Sequence, residues 1–185
     1  MFSSCYLLRY FESAVSTLIS AKNMFANTAL QKFTSSLENL VYGNRMFYSC
    51  NLTSFKSNLN SLEDGTEMFY KCSKLTSFSP NLPKLTSGNG MFSGCYNLTP
   101  LSHDLSSLTS GNSMFSDCYN FTAFSLDLSS LTSGNGMFSG CYNLTNFDAD
   151  LGSLIQGNWM FSNCKLNGTS VEKILTTIPT YDDGS

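Results

Sequence analysis

The stretch Met114–Gly136, MFSDCYNFTAFSLDLSSLTSGNG, decides the fold. MFSGCYNLTPLSHDLSSLTSGNS precedes it and MFSGCYNLTNFDADLGSLIQGNW follows it, in the same frame. Working outward, all eight Met of the chain (1, 24, 46, 68, 91, 114, 137 and 160) are followed by Phe, so the Met-Phe pair recurs at a nearly constant step. All seven Cys lie four positions past a Met: Cys5, Cys50, Cys72, Cys95, Cys118, Cys141 and Cys164. Thr28 fills that slot in the second repeat. Repeats 2 and 3 are one residue short between this slot and the segment that follows. The period falls in the range of the leucine-rich repeats and well below that of the helical repeats, which run to about 33 residues or more. A unit this short cannot bury its apolar residues alone, so neighbours must stack into one continuous core.

The apolar spacing says how each unit is built. Met137, Phe138, Cys141, Leu144, Phe147, Leu151 and Leu154 recur every three or four positions, with no long helical stripe and no long alternation. A coil that turns continuously, carrying one short strand, satisfies this. Strict alternation occurs only in Phe124-Ser125-Leu126-Asp127-Leu128 and its counterparts Leu101-Ser102-His103-Asp104-Leu105 and Phe147-Asp148-Ala149-Asp150-Leu151. The strand is expected there, apolar side inward. Thr132-Ser133-Gly134-Asn135 reads as the return path, with Gly-Asn as a tight turn tolerating positive φ. Eight repeats at a strand spacing of ~4.8 Å make a stack about 35–40 Å long.

The string x-x-M-F-x-x-C-x-x-L-T-x-F at this step resembles the BspA-type leucine-rich repeats of bacterial surface proteins, which also occur in some protist surface proteins and in phage or prophage genes. The resemblance runs from Met1 to about Cys164. It implies an α/β repeat solenoid: a right-handed leucine-rich repeat with one short parallel β-strand per coil. It also implies extracellular or cell-surface recognition, an adhesion segment rather than an enzyme. The domain plan is an eight-coil solenoid over 1–164 and a capping helix with linker over 165–185. Thr169-Ser170-Val171-Glu172 reads as a capping box opening that helix. Val171, Ile174, Leu175 and Ile178 then share one face, and Pro179 ends it. Met1 is already the repeat Met, so the chain starts in register without a polar N-terminal cap. Solenoids need caps, so a fragment of a longer protein is expected.

Composition excludes several classes. Net charge is −3 and only 12% of residues are charged, against about 25% in an ordinary domain. The ten Lys and Arg are scattered singly, so no basic patch points to nucleic acid. No apolar run approaches the ~18 residues that would suggest membrane insertion. One His rules out a Cys₂His₂ zinc site. His103 stands in the slot of Leu126 and Ala149 and reads as a lining residue, not a base. Ser-Gly-Asn-Gly at 87–90 and 133–136 is turn punctuation, not a phosphate loop. No cofactor and no metal site is expected.

Four columns remain. The cysteines read as buried free thiols, small apolar side chains in the core. Asp104, Asp127 and Asp150, with Asn81 before them, read as a solvated polar face rather than a calcium site. Tyr6, Tyr96, Tyr119 and Tyr142 follow the Cys slot, and these rings read as padding on the side of the stack. Asn97-Leu-Thr99 and its counterparts match a glycosylation pattern as a by-product of the repeat. The ligand-binding face is expected on the outward strand residues Ser79, Asn81, Ser102, Asp104, Ser125, Asp127, Asp148 and Asp150. Being uncharged or acidic, it suits a basic protein or a polyhydroxylated glycan on a host or matrix. A phage tail-associated host-binding protein, or a passive spacer in a larger surface protein, are the rival readings.

Overall fold

A chain with an apolar residue every three or four positions can bury them all only by turning without pause. The computed structural model, which describes residues 1–102 and 104–179, shows such a coil. Each turn of the stack has three sides. An arc carries the Met-Phe pair and the Cys slot. A short strand carries a second aromatic residue. A corner rich in Ser and Thr leads back to the next arc.

The strands are β1 (Tyr10–Phe11), β2 (Lys32–Phe33), β3 (Ser54–Phe55), β4 (Ser77–Phe78), β5 (Ala123–Phe124) and β6 (Asn146–Phe147). They pair in parallel in the repeat register, as Phe55 with Phe78 and Phe124 with Phe147. Phe33 follows Thr28 by five positions and Phe78 follows Cys72 by six, so the short repeats lose their residue just before the strand. Among the described residues the fifth turn has no strand. Pro100 stands there and has no N–H for the ladder. Strand pairing begins one residue before the expected Phe124 and stops at it. Beyond it Phe124 and Leu128 are buried and Ser125 and Asp127 exposed, so the alternation persists without the ladder. A second parallel column runs along the corners, from Ser20 through Tyr42, Asp64, Ser87, Ser110 and Ser133 to Gln156.

The arcs are joined by a third set of backbone bonds. The N–H groups of Gly43, Arg45, Phe47 and Ser49 donate to the carbonyls of Asp64, Thr66, Met68 and Tyr70 in the next arc, at 2.7–2.9 Å. The intervening N–H groups of Met46, Tyr48 and Cys50 donate three positions back along their own arc. This pattern needs a left-handed residue before the Met and another three after it. Gly136 and Gly140 supply them at φ 61° and 76°. In other arcs Arg45, Ser49, Glu67, Lys71, Ser113 and Asp117 take the same conformation, at φ 52–60°. The expected Gly134-Asn135 turn is thus displaced: Gly136 holds positive φ, while Asn135 works through its side chain.

The core is a set of ladders. Phe25, Phe47, Phe69, Phe92 and Phe115 are fully buried and stack with centroids 5.4–5.8 Å apart. The strand phenylalanines meet them edge-on, as Phe78 does Phe92 at 4.9 Å. Such contacts add about 0.5–1.5 kcal/mol each beyond area burial. Where Leu101 replaces the strand Phe, Phe121 in the next turn enters instead and lies 5.2 Å from Phe115. The helix α1 (Gly168–Thr177) closes the strand side of the last turn. Its N-cap is Asn167, whose Oδ1 accepts the Ser170 N–H at 2.8 Å, so the expected capping box starting at Thr169 gives way to an earlier cap. The reason lies in Ser170, which is buried in the slot of the strand Phe, where its hydroxyl accepts the Phe147 N–H at 2.8 Å. Ile174 and Ile178 pack on the core, while Val171 and Leu175 stay exposed. Ile178 is extended, as a residue before proline must be. The tail from Thr180 and the lining residue His103 lie outside the described residues.

Candidate binding face

The strand directs alternate side chains outward. Ser79, Ser102, Ser125 and Asp148 follow the strand position, and Asn81, Asp104, Asp127 and Asp150 lie two positions further on; all eight are exposed. The two rows differ in chemistry. Asp104 Oδ1 accepts the N–H of Ser106, Asp127 that of Ser129 and Asp150 that of Gly152, each at 2.8 Å. Asn58 makes the same turn to Asn60. This acidic column therefore shapes the chain's departure from the strand, a role beyond the ligand face expected from the sequence. Asn81 cannot make that turn, because residue 83 is proline and has no N–H.

The turns also set the charge. The hydroxyl and backbone N–H of Ser106 hold the Asp104 carboxyl below its ordinary range. The backbone N–H and hydroxyl of Ser129 do the same for Asp127, against the weak opposing effect of Asp104. Both are ionised at neutral pH, so each turn shows one negative charge at this position where Asp is present. Asp148 pairs with Lys173 of α1 at 3.4 Å. Between them lies an open groove of about 250 Å³, lined by Asn146, Asp148, Asn167, Thr169 and Lys173. There Asp148 of the outward strand row meets a cation, as Glu12 of the same row meets Lys32 at 3.6 Å near the other end of the stack.

A second ordered face was missed from the sequence. At the corner, Asn112 Oδ1 accepts the Asn135 N–H and Asn89 Oδ1 that of Asn112, at 2.8 Å each. The hydroxyls of Thr109 and Thr132 donate to the threonine carbonyl one turn back, at 3.0 Å. The signal was the repeated Thr-Ser-Gly-Asn, read only as a turn. The tyrosine column is a ladder of its own. Tyr96 and Tyr119 stack at 4.9 Å and Tyr119 and Tyr142 meet tilted at 5.2 Å, so both faces of Tyr119 are spent on its neighbours while Tyr96 and Tyr142 stay exposed. Asn97, Asn120 and Asn143 donate their Nδ2 to carbonyls one turn back.

The cysteines are free thiols in the core, apart from exposed Cys5 and half-buried Cys164. Each of Cys72, Cys95, Cys118 and Cys141 donates to a Phe carbonyl one turn back at 3.1–3.4 Å. Burial pushes Cys95 and Cys141 up to about 12, so neither is a nucleophile at neutral pH. Among the described residues no group of three His, Cys, Asp or Glu side chains is placed to hold a metal ion.

These ladders repeat what a profile of the BspA type leucine rich repeat region describes; it matches in six copies over residues 1–106 and 65–182. The chain belongs to the BspA-type leucine-rich-repeat family. Among solved structures, this BspA-type chain is similar to a leucine-rich repeat protein from Bacteroides ovatus, at 20% identity and a TM-score of 0.49, over 76% of this chain. It spans only 37% of that protein's length. A leucine-rich repeat protein from Eubacterium ventriosum is similar at 14% identity and a TM-score of 0.37, covering 90% of this chain and 79% of that one. No curated protein matches the sequence. The BspA-type coil is thus a repeat module, and among the described residues no helix is long and apolar enough to cross a membrane.

Proposed function

We propose that this BspA-type solenoid is a non-enzymatic recognition and adhesion module of the extracellular or cell-surface space, binding a host or matrix protein or glycan through its strand face. One observation carries the reading: the outward row Ser79, Ser102, Ser125 and Asp148 is exposed, held at the strand spacing by a fully packed core, and free of the turn-forming bonds that occupy its neighbours. A rigid row of short polar side chains loses little conformational entropy on binding. Ser79, Ser102 and Ser125 form an uncharged stretch of the row that ends at Asp148, so the partner of this stretch is a basic protein surface or a neutral polyhydroxylated chain. Asp104, Asp127 and Asp150 border it and add negative charge.

The test is attachment of the chain to immobilised matrix proteins, glycans and host cells. Replacing Ser102→Lys and Ser125→Lys together puts two flexible cations in the row without touching an Asx turn. Attachment is expected to fall by about tenfold, or about 1.4 kcal/mol, with melting temperature unchanged. Unchanged attachment refutes the strand face and favours a passive spacer.

A further inference from the structure

The strand ladder has a gap inside the stack. Parallel bonds join β1 to β2 and β3 to β4, but none joins β2 to β3, although the two lie on successive turns. Thr34, Ser79 and Asp148 each stand just past a strand Phe and donate their N–H to the strand Phe carbonyl one turn back, at 2.8–3.4 Å. The Lys56 N–H holds the same place and has no backbone acceptor among the described residues. An open groove of about 290 Å³ follows this gap. Lys32, Phe33 and Thr34 line it from one turn, Ser54, Lys56 and Ser57 from the next.

The groove is rich in donors and short of acceptors. Lys56 is exposed and forms no ion pair among the described residues. Lys32 reaches Glu12 at 3.6 Å, but both side chains are more than half exposed, so water screens the pair and it contributes little. Ser57 is 9% exposed, and its hydroxyl has no partner among the described residues. Ser35, in the same place one turn back, gives its hydroxyl to the Ser13 carbonyl. A hydroxyl this buried is costly to leave unpaired, and the groove is the space it lines. Two ammonium groups and three hydroxyls thus surround a site with no carboxylate in its lining, which fits a carboxylate brought by a ligand.

The neighbouring turns say what carries that carboxylate. Lys56 belongs to the outward strand row and is followed on successive turns by Ser79, Ser102 and Ser125. Asp104 borders the row two turns from Lys56, about 10 Å away at the strand spacing. A polyanion anchored at Lys56 would run into the ionised Asp104 and Asp127. A ligand with one negative end and a neutral body would not. The row from Lys56 to Asp148 holds no aromatic side chain and no arginine, the usual anchors of a protein partner. We propose that the groove between β2 and β3 takes the carboxylate of an acidic sugar at the end of a glycan, whose neutral sugars lie over Ser79, Ser102 and Ser125. This rests on the strand-face reading and names the group that anchors it.

The experiment is an NMR titration of the reduced full chain with glucuronate, N-acetylneuraminate, glucose and an aspartyl dipeptide. At least one acidic sugar is expected to bind about tenfold more tightly than glucose and to shift the amides of Thr34, Lys56 and Ser57. Lys56→Gln is expected to remove that preference and Ser57→Ala to weaken it about fivefold, both with unchanged circular dichroism spectra. Lys74→Gln, away from the groove, is expected to keep it. The probes are single sugars, so the variant carrying Ser102→Lys and Ser125→Lys is expected to bind them as the parent does. Failure of the strand-face reading shows separately, as glycan attachment indifferent to that variant while the groove keeps its preference; it overturns the run over the serines. Equal binding of glucose and both acidic sugars, a preference retained by Lys56→Gln, or an aspartyl dipeptide that binds as tightly as the sugars would overturn the site itself.

Discussion

Raising the pH is expected to unfold this protein through its cysteine column. Cys72, Cys95, Cys118 and Cys141 are fully buried. Burial is the main cause that holds all four thiols up, Cys95 and Cys141 to about 12. In the unfolded chain a thiol ionises near about pH 8.5. Below that value both states keep the proton and the contribution to stability is complete. Above it only the unfolded chain ionises, so stability falls by about 1.4 kcal/mol per thiol per pH unit until the folded value is reached. From pH 7.5 to 9.5 the loss is therefore about 1.4 kcal/mol per thiol and about 5.5 kcal/mol for the four. That is as large as the whole stability of many domains. The assay is urea unfolding followed by circular dichroism at pH 7.5, 8.5 and 9.5. The reference is Cys95→Thr with Cys118→Thr, a residue the column already accepts at Thr28, which is buried and 3.3 Å from the Cys50 sulfur. Removing two thiols should cut the pH-dependent loss by roughly 2.8 kcal/mol. Equal pH slopes in parent and variant, or rapid alkylation of the four thiols in the native state at pH 8, would refute the reasoning.

Three further outcomes follow from named contacts. Ser170→Ala strips the Phe147 N–H of its acceptor in a buried site and is expected to cost about 1–3 kcal/mol in urea unfolding. Phe69→Ala removes a ring stacked between Phe47 and Phe92 and should cost about 3–5 kcal/mol in the same assay. Asp127→Asn keeps the turn, as Asn58 shows, and should change stability at pH 7 by no more than about 0.5 kcal/mol. The Asp104 and Asp127 carboxyls are held low, so their contribution is full above about pH 4 and is lost as pH falls through the lowered folded values. The Asn variant should therefore lose less stability between pH 5 and pH 2, read by thermal melts.

The repeat itself determined the stacking, the core columns and the burial of Met, Phe and Cys. A period this short leaves no other way to hide the Met-Phe pairs from Met24 to Met137, and the burial of Phe124 and Leu128 with Ser125 and Asp127 outside could be read letter by letter. Backbone conformation could not. Left-handed turns at Arg45, Glu67 and Trp159 carry no glycine signal, because the contacts of the stacked coil, and not local preference, hold them there. Only the stack decided that the aspartates shape turns and that Ser170 replaces a phenylalanine in the last strand slot. The left-handed turns and the Ser170 slot both depend on groups a whole repeat away in sequence and one coil away in space. A repeat specifies which residues meet, but it is silent on which backbone groups are left over where the repetition stops.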